Sequence, residues 1–147
     1  MPPIPHVWFA LCAATLAALT AGGWTTLPQA RSAWTGVYTT AQADRGRRLY
    51  VRECAECHGQ NLTGAEGGAA LVGNVFLAPW LQKTVGDLYE ETSTTMPDSA
   101  PGVLPARQYA DIVAYLLREN GFPAGDEDLP IELEILKQIR LETKPQP

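Results

Sequence analysis

The chain has 147 residues, 46% of them hydrophobic and 18% charged, with a formal net charge of −5. That is the size and make-up of one globular domain with a real core. An acidic chain lacks the basic footprint that nucleic acid demands, so that class of partner is excluded, and charged partners should be basic or should dock through apolar surface.

The opening stretch is foreign in composition to the rest. No Lys or Arg precedes Arg31, and the first acidic residue is Asp44. Val7–Ala21 is an apolar run of the length of a signal-peptide core, so residues 1–33 read as an export signal with its linker. Three cleavage points are compatible with it: Ala18-Leu19-Thr20, Thr20-Ala21-Gly22 and Ala30-Arg31-Ser32. Ile4–Ala21, 18 nearly uncharged residues, alternatively reads as a retained anchor, and the sequence leaves both readings open. Past position 33 there are 10 basic and 16 acidic residues. Cys12 falls inside the apolar run, which leaves two cysteines for the mature chain.

From Gly22 to Val37 the chain is rich in Gly, Thr, Trp and Ser without apolar period, as in a linker or frayed terminus. A domain is expected over 34–125. Thr39 and Gln42 fit a capping box for a first helix of about three turns that ends at Cys54 and carries Ala43, Gly46, Leu49 and Tyr50. Gly59–Pro79 is a long glycine-rich loop, uncommon in a compact domain unless it packs on something such as a cofactor. Thr84 and Asp87 mark the start of a second helix that runs to about Thr95 and stops before Met96-Pro97. The clearest helix is Pro105–Asn120, where Tyr109, Ile112, Val113, Leu116 and Leu117 recur at helical spacing and Asn120-Gly121 supplies the stop. Residues 126–147 form an extension that opens with a solvated acidic turn, Asp126–Asp128, and holds a short fourth helix over Ile131–Leu141. No strand-like alternation is present, so the fold class is all-α.

The decisive motif is Cys54-Ala55-Glu56-Cys57-His58, the C-x-x-C-H pattern of covalent c-type haem attachment. Two intervening residues set the thiols about one helical turn apart, each able to add to one haem vinyl group, and the adjacent imidazole reaches the iron from the same side. Three rivals fit less well. A thioredoxin-like pair wants a βαβ context, a zinc site wants four ligands where the mature chain offers two Cys and His58, and a Cys54–Cys57 disulfide would ignore His58.

Met96 is the only methionine besides the initiator, and it lies between two expected helices, where a core filler is out of place. It is the candidate second axial ligand. His/Met ligation raises the reduction potential and leaves no open position for substrate, which points to outer-sphere electron transfer.

Together these residues resemble class I bacterial c-type cytochromes over about residues 38–125. Within that class the chain is similar to the single-haem cytochromes that serve quinoprotein alcohol and sugar dehydrogenases. The matching elements are Gly46 with Tyr50, the run from Cys54 to Gly59, Phe76-Leu77 with Trp80, Thr95-Met96-Pro97, and Tyr109 to Tyr115. The resemblance implies a cytochrome c fold of three core helices around one haem c, with Gly46 of the first helix crossing against Tyr115 of the last. It also implies that Trp80 covers the haem edge and donates its indole N–H to a propionate. One departure is that Ala69-Ala70-Leu71 has no proline where the family places the residue whose carbonyl accepts from the proximal histidine, and Ala70 is the expected substitute.

The expected function is thus a periplasmic electron carrier, not an enzyme, moving single electrons from a dehydrogenase to a terminal oxidase or another cytochrome. It is expected to be a monomer or a complex subunit, membrane-bound only if the N-terminal segment is retained. Two alternatives stand beside it: a haem enzyme or gas sensor in which Met96 dissociates, and an anchored subunit of a dehydrogenase complex. Arg45, Arg47, Arg48 and Arg52 gather on the first helix, either as a local basic face or as ordinary solvation of its outer side.

Overall fold

In the computed structural model, Met1 and residues 30–65 and 67–146 are described. The expected signal core, Cys12 and His6 lie outside them. The elements run β1 (Arg31–Ser32), a 3-10 turn (Ala33–Thr35), α1 (Thr40–Glu53), α2 (Ala55–His58), α3 (Gly73–Leu77), α4 (Val85–Thr95), α5 (Ala106–Glu119), α6 (Leu133–Leu136) and β2 (Ile139–Arg140).

The core is the crossing of α1 with α5. It closes because Gly46 has no side chain: a Cβ there would stand 1.8 Å from the Asp111 carbonyl oxygen and 2.9 Å from the Tyr115 Cβ. The expected Gly46–Tyr115 contact is therefore present. Tyr115 is buried and its ring centroid lies 5.4 Å from that of Tyr50. Around the crossing, Ala43, Leu49, Ile112, Val113, Leu116 and Leu117 are buried, the faces that the helical period selects. Pro105 proves to be the residue preceding the first helical position of α5.

α4 starts where Thr84 and Asp87 predict. The Thr84 hydroxyl accepts from the Asp87 N–H at 3.0 Å and the Asp87 carboxylate accepts from the Thr84 N–H at 2.8 Å, a complete capping box. At α1 the box is only half formed. Thr39 accepts from the Gln42 N–H at 3.0 Å, but the Gln42 side chain turns into the core, where it is wholly buried and pairs with the backbone of Leu129.

The chain ends depart most from expectation. The stretch read as a linker packs firmly from position 31: Ala33 and Val37 are buried, the Tyr38 hydroxyl donates to the Phe122 carbonyl at 2.6 Å, and the Trp34 and Phe122 rings lie 4.5 Å apart. The expected fourth helix over Ile131–Leu141 is a single turn, α6, after which β2 pairs in parallel with β1 through Arg31 and Ile139 and through Ser32 and Arg140. This small ladder is the exception to the all-α reading. Leu136, Ile139 and Leu141 are buried beneath it, and Gly86 of α4 admits the chain so closely that a Cβ would meet the Lys137 backbone nitrogen at 2.6 Å. A helix through Leu141 would turn part of that trio to water, whereas one turn followed by an extended segment buries Leu136, Ile139 and Leu141 together.

The acidic turn is likewise more than solvated. Asp128 accepts from the Thr39 hydroxyl and pairs with Arg45, whose guanidinium also spans both carboxylate oxygens of buried Asp111 at 3.1 Å. Arg45 is thereby committed to an internal network, and of the four arginines on α1 only Arg47 and Arg48 are exposed without an ion pair among the described residues.

Candidate functional site

Cys54 ends α1 with its N–H still bonded to the Tyr50 carbonyl, and the chain restarts at once as α2, which carries Cys57 and His58. Both thiols are free, Cys54 half-buried and Cys57 exposed. Burial, aided by Glu53 and Cys57, pushes the Cys54 thiol up to about 11, so it rests as a neutral thiol. A redox-active pair needs the opposite shift. Nor do the described residues hold any group of three His, Cys, Asp or Glu side chains able to hold a metal ion.

His58 is oriented by the loop that follows it. Its Nδ1 lies 2.7 Å from the Ala69 carbonyl oxygen, which can only accept, so Nδ1 carries the proton and Nε2 is the nitrogen with a lone pair. The acceptor is thus Ala69, one residue earlier than expected. Glycines make the approach possible. A Cβ on Gly68 would stand 2.8 Å from His58 Nδ1 and 2.9 Å from the Cys57 carbonyl, and one on Gly67 would stand 3.2 Å from the Cys57 sulfur. Gly59 adopts a positive φ of 79°, and its carbonyl accepts from the Tyr50 hydroxyl at 2.7 Å, which ties α1 to the turn after His58.

Downstream, the Leu71 N–H donates to the Leu62 carbonyl at 2.7 Å. The Asn120 side chain then clasps the same loop, its Nδ2 donating to the Leu71 carbonyl at 2.9 Å and its Oδ1 accepting from the Gly73 N–H at 3.0 Å. The loop without a proline is held from outside. Sequence reasoning took Asn120 for a helix stop only.

Met96 is half-buried at the C-terminal cap of α4. Its carbonyl accepts from the Tyr109 hydroxyl at 2.7 Å, and that hydroxyl in turn accepts from the Leu104 N–H at 3.3 Å. Tyr109 was legible as part of an apolar stripe and of the family resemblance, but not as a hydrogen-bond donor to Met96. Nothing in a periodic pattern distinguishes a tyrosine that bonds a loop backbone from one that merely fills space.

Trp80 follows the short α3, a turn that the glycine-rich loop did not announce. Its ring packs 6.2 Å from Phe76, the Lys83 ammonium lies 4.6 Å over it, and among the described residues its indole N–H has no protein acceptor. It borders an open depression shared with Asp87, Glu90 and Glu91.

These groups suit a covalently held haem: two unbridged thiols one turn apart, an imidazole with Nδ1 occupied, glycines that keep the space beside it clear, a thioether on a pinned loop, and a free indole donor.

A family model described as "Cytochrome C oxidase, cbb3-type, subunit III" matches residues 41–116. The chain is 31% identical over 86 residues to the "Cbb3-type cytochrome c oxidase subunit CcoP" of Rubrivivax gelatinosus, an alignment that takes in 55% of this chain and 27% of the relative. The chain thus spans only about a quarter of that relative's length. A solved structure, the "Sulfane Dehydrogenase SoxCD from Paracoccus pantotrophus", aligns over 83% of this chain and 68% of its own at 24% identity, with a TM-score of 0.49.

Proposed function

Because the chain belongs to the cytochrome c oxidase, cbb3-type, subunit III family and is a class I c-type cytochrome, we propose that it carries single electrons through one covalently bound haem c. The observation that carries this reading is the His58 Nδ1 contact with Ala69 inside a C-x-x-C-H motif, which leaves Nε2 as an oriented ligand. A haem bound there supplies a one-electron couple. Cys54 and Cys57 would provide the thioether links, and His58 and Met96 would hold the iron, Met96 on a backbone bonded by Tyr109. The Trp80 indole N–H would be the donor for a propionate. With His58 and Met96 both on the iron, no position would be left for substrate, and the chain would work as a carrier rather than as an enzyme.

The donor we propose is a quinoprotein-type dehydrogenase, and the acceptor a terminal oxidase or another cytochrome. Both meetings take place in the periplasm, with residues 1–33 as the export signal, 34–125 as the cytochrome domain and 126–147 as its C-terminal extension. The match to an oxidase subunit favours one second reading, in which residues 1–33 are retained as an anchor and the chain works inside a membrane complex. No described helix is long and apolar enough to cross a membrane.

The test is the intact mass of acid-denatured protein made alongside haem-attachment machinery. The expected mass is that of the chain plus one haem, lost in Cys54→Ala/Cys57→Ala. A chain that leaves its haem in the acid supernatant refutes covalent attachment.

A further inference from the structure

One helix touches the backbone of both ligand loops. Near its start, Tyr109 donates to the Met96 carbonyl at 2.7 Å. At its end, Asn120 bonds Leu71 and Gly73, two and four residues beyond the Ala69 carbonyl that faces His58. The Asn120 orientation is fixed by its partners, since two carbonyls, Leu71 and Leu116, require the amide nitrogen and one N–H requires the oxygen. A helix stop needs none of the contacts that reach 47 and 49 residues back along the chain. Between these two residues α5 is buried continuously from Tyr109 to Leu117 and locked against α1 at Gly46, so it cannot yield at one end independently of the core.

We propose that α5 is a strut between the axial-ligand loops, with Asn120 as the positioning residue for His58, acting through Ala69, and Tyr109 as the positioning residue for Met96. This rests on the haem reading above. Asn120 does the work that a rigid proline would do: it stops the 69–73 loop from drifting away from the imidazole, which keeps the His58 proton on Nδ1 and its ring in place. Tyr109 holds the peptide of Met96 itself, so the thioether is presented by a fixed backbone.

Two readouts on the holoprotein separate the ends of the strut. One is solvent exchange of the His58 Nδ1–H by NMR in the ferrous state. The other is the alkaline midpoint at which the ferric far-red sulfur band disappears. Asn120→Ala should speed Nδ1–H exchange about tenfold, the factor expected for one lost hydrogen bond, and leave the band midpoint in place. Tyr109→Phe should lower the band midpoint by about one pH unit and leave Nδ1–H exchange unchanged. Asn120→Asp, which turns an acceptor toward the Leu71 carbonyl, serves as a second variant with the same expected effect. Gln42→Ala, which loosens the molecule away from both loops, is the control for general destabilisation. The strut is refuted if Asn120 variants exchange no faster than Gln42→Ala, if Tyr109→Phe keeps the wild-type midpoint, or if both variants move both readouts alike. A wild type with neither signal refutes the haem ligation itself, a different failure.

Discussion

Gln42 and Leu129 exchange two hydrogen bonds across 87 residues of chain: the Leu129 N–H donates to Gln42 Oε1 at 2.6 Å and Gln42 Nε2 donates to the Leu129 carbonyl at 3.1 Å, both fully within the core. The side-chain amide acts as a short piece of β-ladder that fastens the C-terminal strap to α1. The family match ends at residue 116, so this strap lies beyond it.

Removing the amide leaves both Leu129 backbone groups buried without partners. Gln42→Ala should destabilise the folded protein by about 3 kcal/mol, read as a lowered denaturant midpoint. Little or no change would mean that water reaches Leu129 and that the strap is loosely held.

Gly46→Ala should be worse tolerated than its size suggests, because its methyl group would have to displace the Asp111 backbone and not a flexible side chain. We expect a loss of about 2–3 kcal/mol with α1 and α5 pushed apart, and a stability within error of wild type would contradict the crossing described.

Much of this was readable in advance, and the reason differs from element to element. The capping box at Thr84 and the stripe on α5 are local, so their signals lie within a few residues of each other. The haem motif is local too. Gln42, Tyr109 and Asn120 were mistaken for a cap, a core residue and a stop because the partners that define them lie far away in sequence. The strap failed for the same reason: an apolar set over Ile131–Leu141 suits a helix until β1 offers it a strand to join. The missing proline suggested a less rigid loop, and the residue that clasps that loop, Asn120, was invisible without the fold.

Acid should weaken the protein through two carboxylates. The Thr39 hydroxyl, followed by Arg45, holds Asp128 below the usual carboxylate range, and the Thr84 hydroxyl and N–H do the same for Asp87. A folded value below the unfolded one, about 3.9 for Asp, gives stability that is complete above the unfolded value and is lost as pH falls through the folded one. Denaturant midpoints should therefore hold from neutral pH to about 5 and fall below about 4, with a shallower fall in Asp87→Asn and Asp128→Asn. An unchanged slope in both variants would assign the acid loss to other groups.

Gly68→Ala probes the proximal side. Its methyl group would stand 2.8 Å from His58 Nδ1, so the ring must tilt off the Ala69 carbonyl. The expected result is haem still attached through the cysteines, with a heterogeneous spectrum and a lowered yield of low-spin protein. A wild-type spectrum would show that the loop can shift at no cost to the ligand.

The most direct test of the account is the far-red absorption band of sulfur ligation in oxidised protein, compared between wild type and Met96→Ala. The band should be present in the wild type and absent from Met96→Ala, which should at the same time bind carbon monoxide rapidly when reduced. A Met96→Ala variant that keeps the band, or a wild type that lacks it, contradicts the assignment of His58 and Met96 to a closed, electron-transferring iron.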